Sequence, residues 1–144
     1  MYKGRFVREI KKFYKDIETP DIFKQLIQIP FHVIINTTPN LMLKNAFEQY
    51  GLDLDFHYFS HNEPGNEISP SSSKKPLLYN LFGALEGNDE SVILSHDDLF
   101  KYLQAILGKK SIPQGLKKLF EEANELIFWV LVSKMVRAIN ATHF

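Results

Sequence analysis

A chain of 144 residues can bury one domain core but not two, and its 17 basic and 17 acidic residues balance, so charge gives no argument for a nucleic-acid groove or an anionic membrane surface. The absence of cysteine excludes disulfides, thiolate metal sites and cysteine nucleophiles, and fits a reducing compartment. No signal-peptide core opens the chain, and the longest apolar run, Leu126 to Ser133, is less than half of the roughly 20 residues a membrane helix needs; the expectation is a soluble, cytoplasmic protein.

From Tyr2 to Ile17 the residues Phe6, Ile10, Phe13, Tyr14 and Ile17 fall at steps of three and four among lysines and arginines, which predicts an amphipathic helix with those side chains inward. Thr19-Pro20 reads as an N-cap hydroxyl followed by a first-turn proline, with Ile22, Phe23, Leu26 and Ile27 as the apolar face and Pro30 as the stop. Phe31 to Ile35 has the unbroken hydrophobicity of a parallel strand buried on both faces. Thr38-Pro39 repeats the start signal for a helix running to about Tyr50, where Gly51 supplies the left-handed C′ position. LDLDFHYF then alternates as a strand, so Phe31 to Phe59 forms a strand, helix, strand unit of an open parallel sheet.

Residues 61–75, with two prolines, a glycine and four serines, predict a mobile surface loop. Leu77 to Leu81 is a strand ending at Gly83, Val92-Ile93-Leu94 a second short strand, and Ser95 followed by Asp98 a capping box. That box opens a helix lined by Leu99, Tyr102, Leu103 and Ile106 and stopped by Gly108. Ser111-Ile112-Pro113-Gln114 starts another with Leu116, Leu119 and Phe120 inward. Glu125 to Val132 is compatible with a core strand, and Ser133 to Phe144 shows no clear apolar face. Alternating helices and strands specify an α/β fold.

Few residues carry obvious chemistry. A helix start directly after a strand, Asn36 to Asn40, offers backbone N–H groups to a phosphate or a ribose hydroxyl, yet no G-x-G-x-x-G turn accompanies it, and spacing alone favours a plain helix cap. His57 and His61 lie on a strand and its following loop, where a spacing of four does not converge on a metal. Asp97 and Asp98 stand in a first helical turn, where carboxylates complement the dipole. No serine occupies a G-x-S-x-G elbow, and the basic residues of the first helix read as a solvated face.

The segments FHVIINTTPNLMLKNAF and PLLYNLFGALEGNDESVILSHDDLFKYL together resemble bacterial SIR2-like domains, relatives of the sirtuins, over roughly residues 31–129. The first is similar to that family's strand plus Thr-Thr-Asn-x-Asp-x-Leu-Leu helix start. The second is similar to its apolar strand, His-Gly-Ser or His-Gly-Ala, acidic turn, Val-Leu strand and aspartate-capped helix. The resemblance implies a Rossmann-like, three-layer parallel sheet with flanking helices, incomplete here because the first strand and glycine-rich turn are missing, and an NAD site formed by Asn36, Thr37, Thr38, Asn40, Phe82 and Gly83. It places Phe82 where the family has its general-base histidine, Thr38 at the water-positioning asparagine and Asn40 at the aspartate. A phenyl ring neither accepts a proton nor hydrogen-bonds a ribose hydroxyl.

The expectation is therefore a degenerate, NAD-related domain without hydrolase or deacylase activity. The alternatives are an NAD hydrolase of an anti-phage defence type with a noncanonical base, and an interaction module or gene remnant. The implied partners are a nucleotide ligand, a second copy of the chain or another protein, with no nucleic acid and no membrane. The resemblance divides the chain into a partial domain, 1–128, with a helical lead-in over 1–30, and a tail, 129–144. In the tail, Trp129-Val130-Leu131-Val132 replaces the family's Leu-Gly-Phe-Ser. Codons TTG GGT TTT AGT read one base later encode Trp-Val-Leu-Val, so a frame shift near Phe128 is expected.

Overall fold

A computed structural model of the chain describes residues 3–60, 67–108 and 112–127. Helices α1 (Lys3–Lys15), α2 (Asp21–Leu26), α3 (Met42–Gln49), α4 (His96–Leu107) and α5 (Gln114–Glu122) and strands β1 (Val33–Asn36), β2 (Asp55–Tyr58) and β3 (Leu77–Asn80) follow in the order α1-α2-β1-α3-β2-β3-α4-α5, so among the described residues the expected alternation of helix and strand holds only from β1 to β2. The strands form one parallel sheet in the order β1-β3-β2, with Val33 and Asp55 both opposite Leu77, and Asn36 and Tyr58 both opposite Asn80.

Position in the sheet decides burial. Every residue of the central β3 is buried, whereas every residue of β1 and β2 is only half-buried, because each has a sheet neighbour on one side alone. The first strand is packed on both faces as expected, through Ile34 on one and Val33 and Ile35 on the other, but its open edge keeps it short of full burial. The period-two alternation of side chains sends Leu78, Ile34 and Phe56 to one face, against Leu43, Ala46 and Phe47 of α3 and Ile27 after α2. On the other face Leu77, Tyr79, Val33 and Ile35 meet Tyr102 of α4 and Leu116 of α5. Helices therefore cover both faces of the sheet. Gly51 ends α3 as expected, with φ +64 and the N–H groups of Gly51 and Leu52 bonded back to Glu48 and Phe47.

A third apolar cluster joins α1 to the connection that follows β3, where Val7 packs on Leu85 and Val92 with Ile10 and Tyr14 beside it. This rotates α1 away from the expected face: Val7 is fully buried, and Phe6 and Phe13 turn outward, 46% and 50% exposed. The rotation is fixed by ion pairs from Lys3 to Asp98 (2.8 Å) and from Lys11 to Asp89 (2.7 Å), which hydrophobic spacing does not encode.

Other expectations shift in the same way. Val92 to Leu94 forms no strand and takes no place in the sheet; its backbone ties are Val92 N–H to the Asp89 carbonyl and Ile93 N–H to the Phe82 carbonyl, both at 3.4 Å, and a short 3₁₀ turn, Asp89–Ser91, precedes it. Pro20 itself occupies the N-cap of α2, and the Thr19 hydroxyl makes no cap bond. In α4, Tyr102 and Ile106 pack inward while Leu99 and Leu103 are exposed, because the buried Asp98 pins the first turn of the helix. In α5, Leu116 is buried and Phe120 is exposed. Leu126 and Ile127 are irregular and exposed. The rest of that expected strand, the tail 129–144, His61 with the first part of its loop, and Ser111 lie outside the described residues. Among the described residues no helix is long and apolar enough to cross a membrane.

Candidate functional site

The carboxyl ends of β1 and β3 bring two asparagines side by side, Asn36 and Asn80, as register partners. Asn80 is fully buried, so its amide must find partners inside the protein. Its Oδ1 accepts from Asn36 Nδ2 at 3.0 Å, and its own Nδ2 donates to the Asn40 carbonyl at 3.3 Å. Asn36 Oδ1 accepts from both the N–H (3.1 Å) and the hydroxyl (2.8 Å) of Thr38. Asn40 closes the set, donating through Nδ2 to the Thr38 hydroxyl at 3.1 Å and accepting the Met42 N–H at 3.2 Å.

This network corrects the sequence expectation for the helix start. Thr38 spends its hydroxyl on Asn36 rather than on a cap, residues 37–41 form a loop, and α3 begins at Met42 behind an N-cap Leu41 that makes no side-chain bond. Asn36, Thr38 and Asn40 are thus brought together, while Thr37 is exposed and takes no part in the network. Asn80 was not anticipated. The available signal was a lone amide closing an otherwise apolar strand, Leu77-Leu78-Tyr79-Asn80, where an unpaired polar group would be costly.

Phe82 and Gly83 lie on the neighbouring connection. The Phe82 ring meets Tyr102 edge-on, with centroids 5.3 Å apart at 84°, and Tyr102 meets Phe59 likewise at 5.0 Å and 77°. Gly83 has φ +83, and a Cβ added there would collide with the Ser91 carbonyl. Its residue type is thus required by backbone conformation and by close packing. One bond ties the two connections together, Leu85 N–H to the Pro39 carbonyl at 2.9 Å.

Titratable groups around this centre serve structure. Burial pushes the Asp98 carboxyl up, but the Lys3 ammonium and the N–H groups of Leu94 and Ser95 outweigh it and hold the carboxyl below its ordinary value. Asp98 also completes the capping box with Ser95, as its spacing predicts. Burial works against the Lys44 ammonium, yet contact with Glu86 and the nearby Glu48 carries its pKa above the usual range. Burial pushes the Tyr79 and Tyr102 phenols up, so neither ionises at neutral pH. The network itself holds only amides and one hydroxyl, none of which is a general acid or base near neutral pH. Among the described residues no cluster of three or more His, Asp or Glu side chains suits a metal ion.

No protein-family model matches the chain, and no curated protein matches it. The SIR2-like resemblance rests on its motifs alone.

Proposed function

We propose that the chain is a degenerate SIR2-like, NAD-related domain with a Rossmann-like three-layer architecture, and that it neither hydrolyses NAD nor deacylates lysine. The observation that carries this reading is Phe82. At the position where the resemblance calls for a proton acceptor stands an apolar ring packed edge-on against Tyr102. Losing a positioned acid or base typically costs about a hundredfold to ten-thousandfold in rate. The second support is the mutual hydrogen bonding of the asparagine network, which occupies both acceptor positions of Asn36 Oδ1. Asn36, the residue best placed to hold a ribose hydroxyl or a water, has its carbonyl engaged by Thr38 and its amino group by Asn80. These residues do not fit NAD as a reacting group.

Incubation of the purified protein with NAD, followed by measurement of released nicotinamide, is expected to show no turnover. Turnover that survives Phe82→Ala would overturn the reading and favour a hydrolase with a different base. Calorimetric titration with NAD then separates the two remaining cases: saturable binding preserves a nucleotide site, and silence leaves only its frame.

A second reading, a protein-interaction module, is favoured by the outer face of α4, where Phe100 and Leu107 are 64% and 86% exposed beside Leu103. Its check is sedimentation of the full chain over a range of concentrations. Self-association abolished by Leu103→Asp with helicity retained supports it, and a monomer throughout removes the second copy as partner.

A further inference from the structure

The sheet has two open edges, and they are built differently. In β1 the carbonyls of His32 and Asn36 accept from Leu77 and Leu81, so the even-numbered residues face β3, and the N–H and C=O groups of Val33 and Ile35 point outward. Among the described residues nothing bonds to them. In β2 the N–H groups of Asp55 and Phe59 donate to β3, which leaves Phe56 and Tyr58 facing outward. That second edge carries Asp55 and His57, joined at 3.1 Å, and ionisable side chains on an edge deter a further strand. Val33-Ile34-Ile35-Asn36 has no charge and no proline, the kind of edge that proteins keep covered.

Topology selects the same edge. The crossover from β1 to β2 passes β3 and runs through α3, on the face of Leu78. The chain leaving β3 runs through α4 and α5, on the face of Tyr79. Crossovers between parallel strands are almost always right-handed, so two of them on opposite faces travel in opposite directions across a sheet. A strand after α5 therefore moves from β3 toward β1. Since β1 already fills the adjacent place, it arrives at the free edge of β1.

We propose that the free edge of β1 is a docking site for one further parallel strand, and that its occupant is Phe128 to Val132 of this chain, which lies outside the described residues. The distance along the chain fits. Helix α5 ends at Glu122, and residues 123–127 are irregular, a connection within the range of about two to six residues that joins helices to strands in such folds. Phe128-Trp129-Val130-Leu131-Val132 is wholly apolar, aromatic or β-branched apart from Leu131, and long enough to cover the four residues of β1. The frame shift expected near Phe128 does not alter this, because pairing depends on the residues encoded and not on their origin.

The test is amide hydrogen exchange of the full chain, with the outward N–H groups of β2 as internal reference. Those of Val33 and Ile35 are expected to exchange at least about tenfold more slowly than those of Phe56 and Tyr58. Trp129 is the only tryptophan, so its emission reports on the segment and should be blue-shifted and shielded from acrylamide. Two variants break the contact from either side. Val130→Pro should bring Val33 and Ile35 to the rate of Phe56. Ile35→Pro removes an N–H that β3 does not use and should open Trp129 to acrylamide with the helical signal retained. Equally fast exchange at both edges of the native chain overturns the proposal. So does protection of Val33 and Ile35 that rises with protein concentration and survives Val130→Pro, which assigns the edge to a second copy. If either variant fails to fold, the native exchange pattern and the shielding of Trp129 decide. The Phe82 reading is tested separately, by nicotinamide release.

Discussion

The connections leaving the carboxyl ends of β1 and β3 lie side by side and are held in shape by different balances of polar bonding and packing. Residues 37–41 are held by polar side chains, with Asn36, Thr38, Asn40 and Asn80 exchanging hydrogen bonds. Residues 81–94 add close packing to polar ties at Asp89 and Leu94: Gly83 fits under Ser91, Phe82 abuts Tyr102, and Val92 is covered by Val7 of α1. The difference teaches where this fold tolerates change. A hydrogen-bonded loop loses its bonds one at a time, whereas a backbone pressed on backbone has no small way to yield.

Substitutions separate the two kinds of support. Gly83→Ala should be the most damaging, because the added methyl meets the Ser91 backbone at a left-handed φ; a loss of about 3 kcal/mol or more is expected in urea unfolding. A loss under about 1 kcal/mol would mean that the second connection is softer than its packing indicates. Asn80→Leu keeps the branched outline but strands Asn36 Nδ2 and the Asn40 carbonyl, for an expected loss of about 2 kcal/mol. Faster amide exchange should then appear in residues 37–41 and not in residues 81–94, and equal acceleration in both would erase the contrast.

Lys3→Met probes the clamp that α1 places on the second connection, with an expected cost of about 1.5 kcal/mol at neutral pH. Its acid profile has a definite sign. The folded Asp98 carboxyl titrates below its ordinary value, so its contribution is fully present above the unfolded pKa of about 3.9 and is lost as pH falls through the folded one. Without Lys3 that acid-dependent loss should become shallower. An unchanged acid limb would show that Lys3 does not set the Asp98 titration.

Much of the fold was legible because its signals are local. The Ser95–Asp98 capping box, the Gly51 C′ position and the apolar run of β3 each depend on residues a few positions apart, and each forms as expected. Rotation about a helix axis was not legible. Phe6 and Val7 compete for the inward side of α1, and the choice falls to Val7 because Leu85 and Val92, far along the chain, offer it a socket and Asp98 receives Lys3. The candidate site divides in the same way: the residue types at Asn36, Thr38 and Asn40 were visible, but their use was not, since the group that commits them is Asn80 on another strand.

By itself the sequence determined the mixed α/β character, two helix boundaries and the apolar run of β3, all properties of a residue and its near neighbours. Tertiary structure alone decided that β3 lies between β1 and β2, that α1 seals the second connection and that an asparagine pair closes the first. The physical reason is range. Caps and turns are satisfied within a few residues of chain, but a buried amide or a helix face takes its partner from whatever the fold brings beside it.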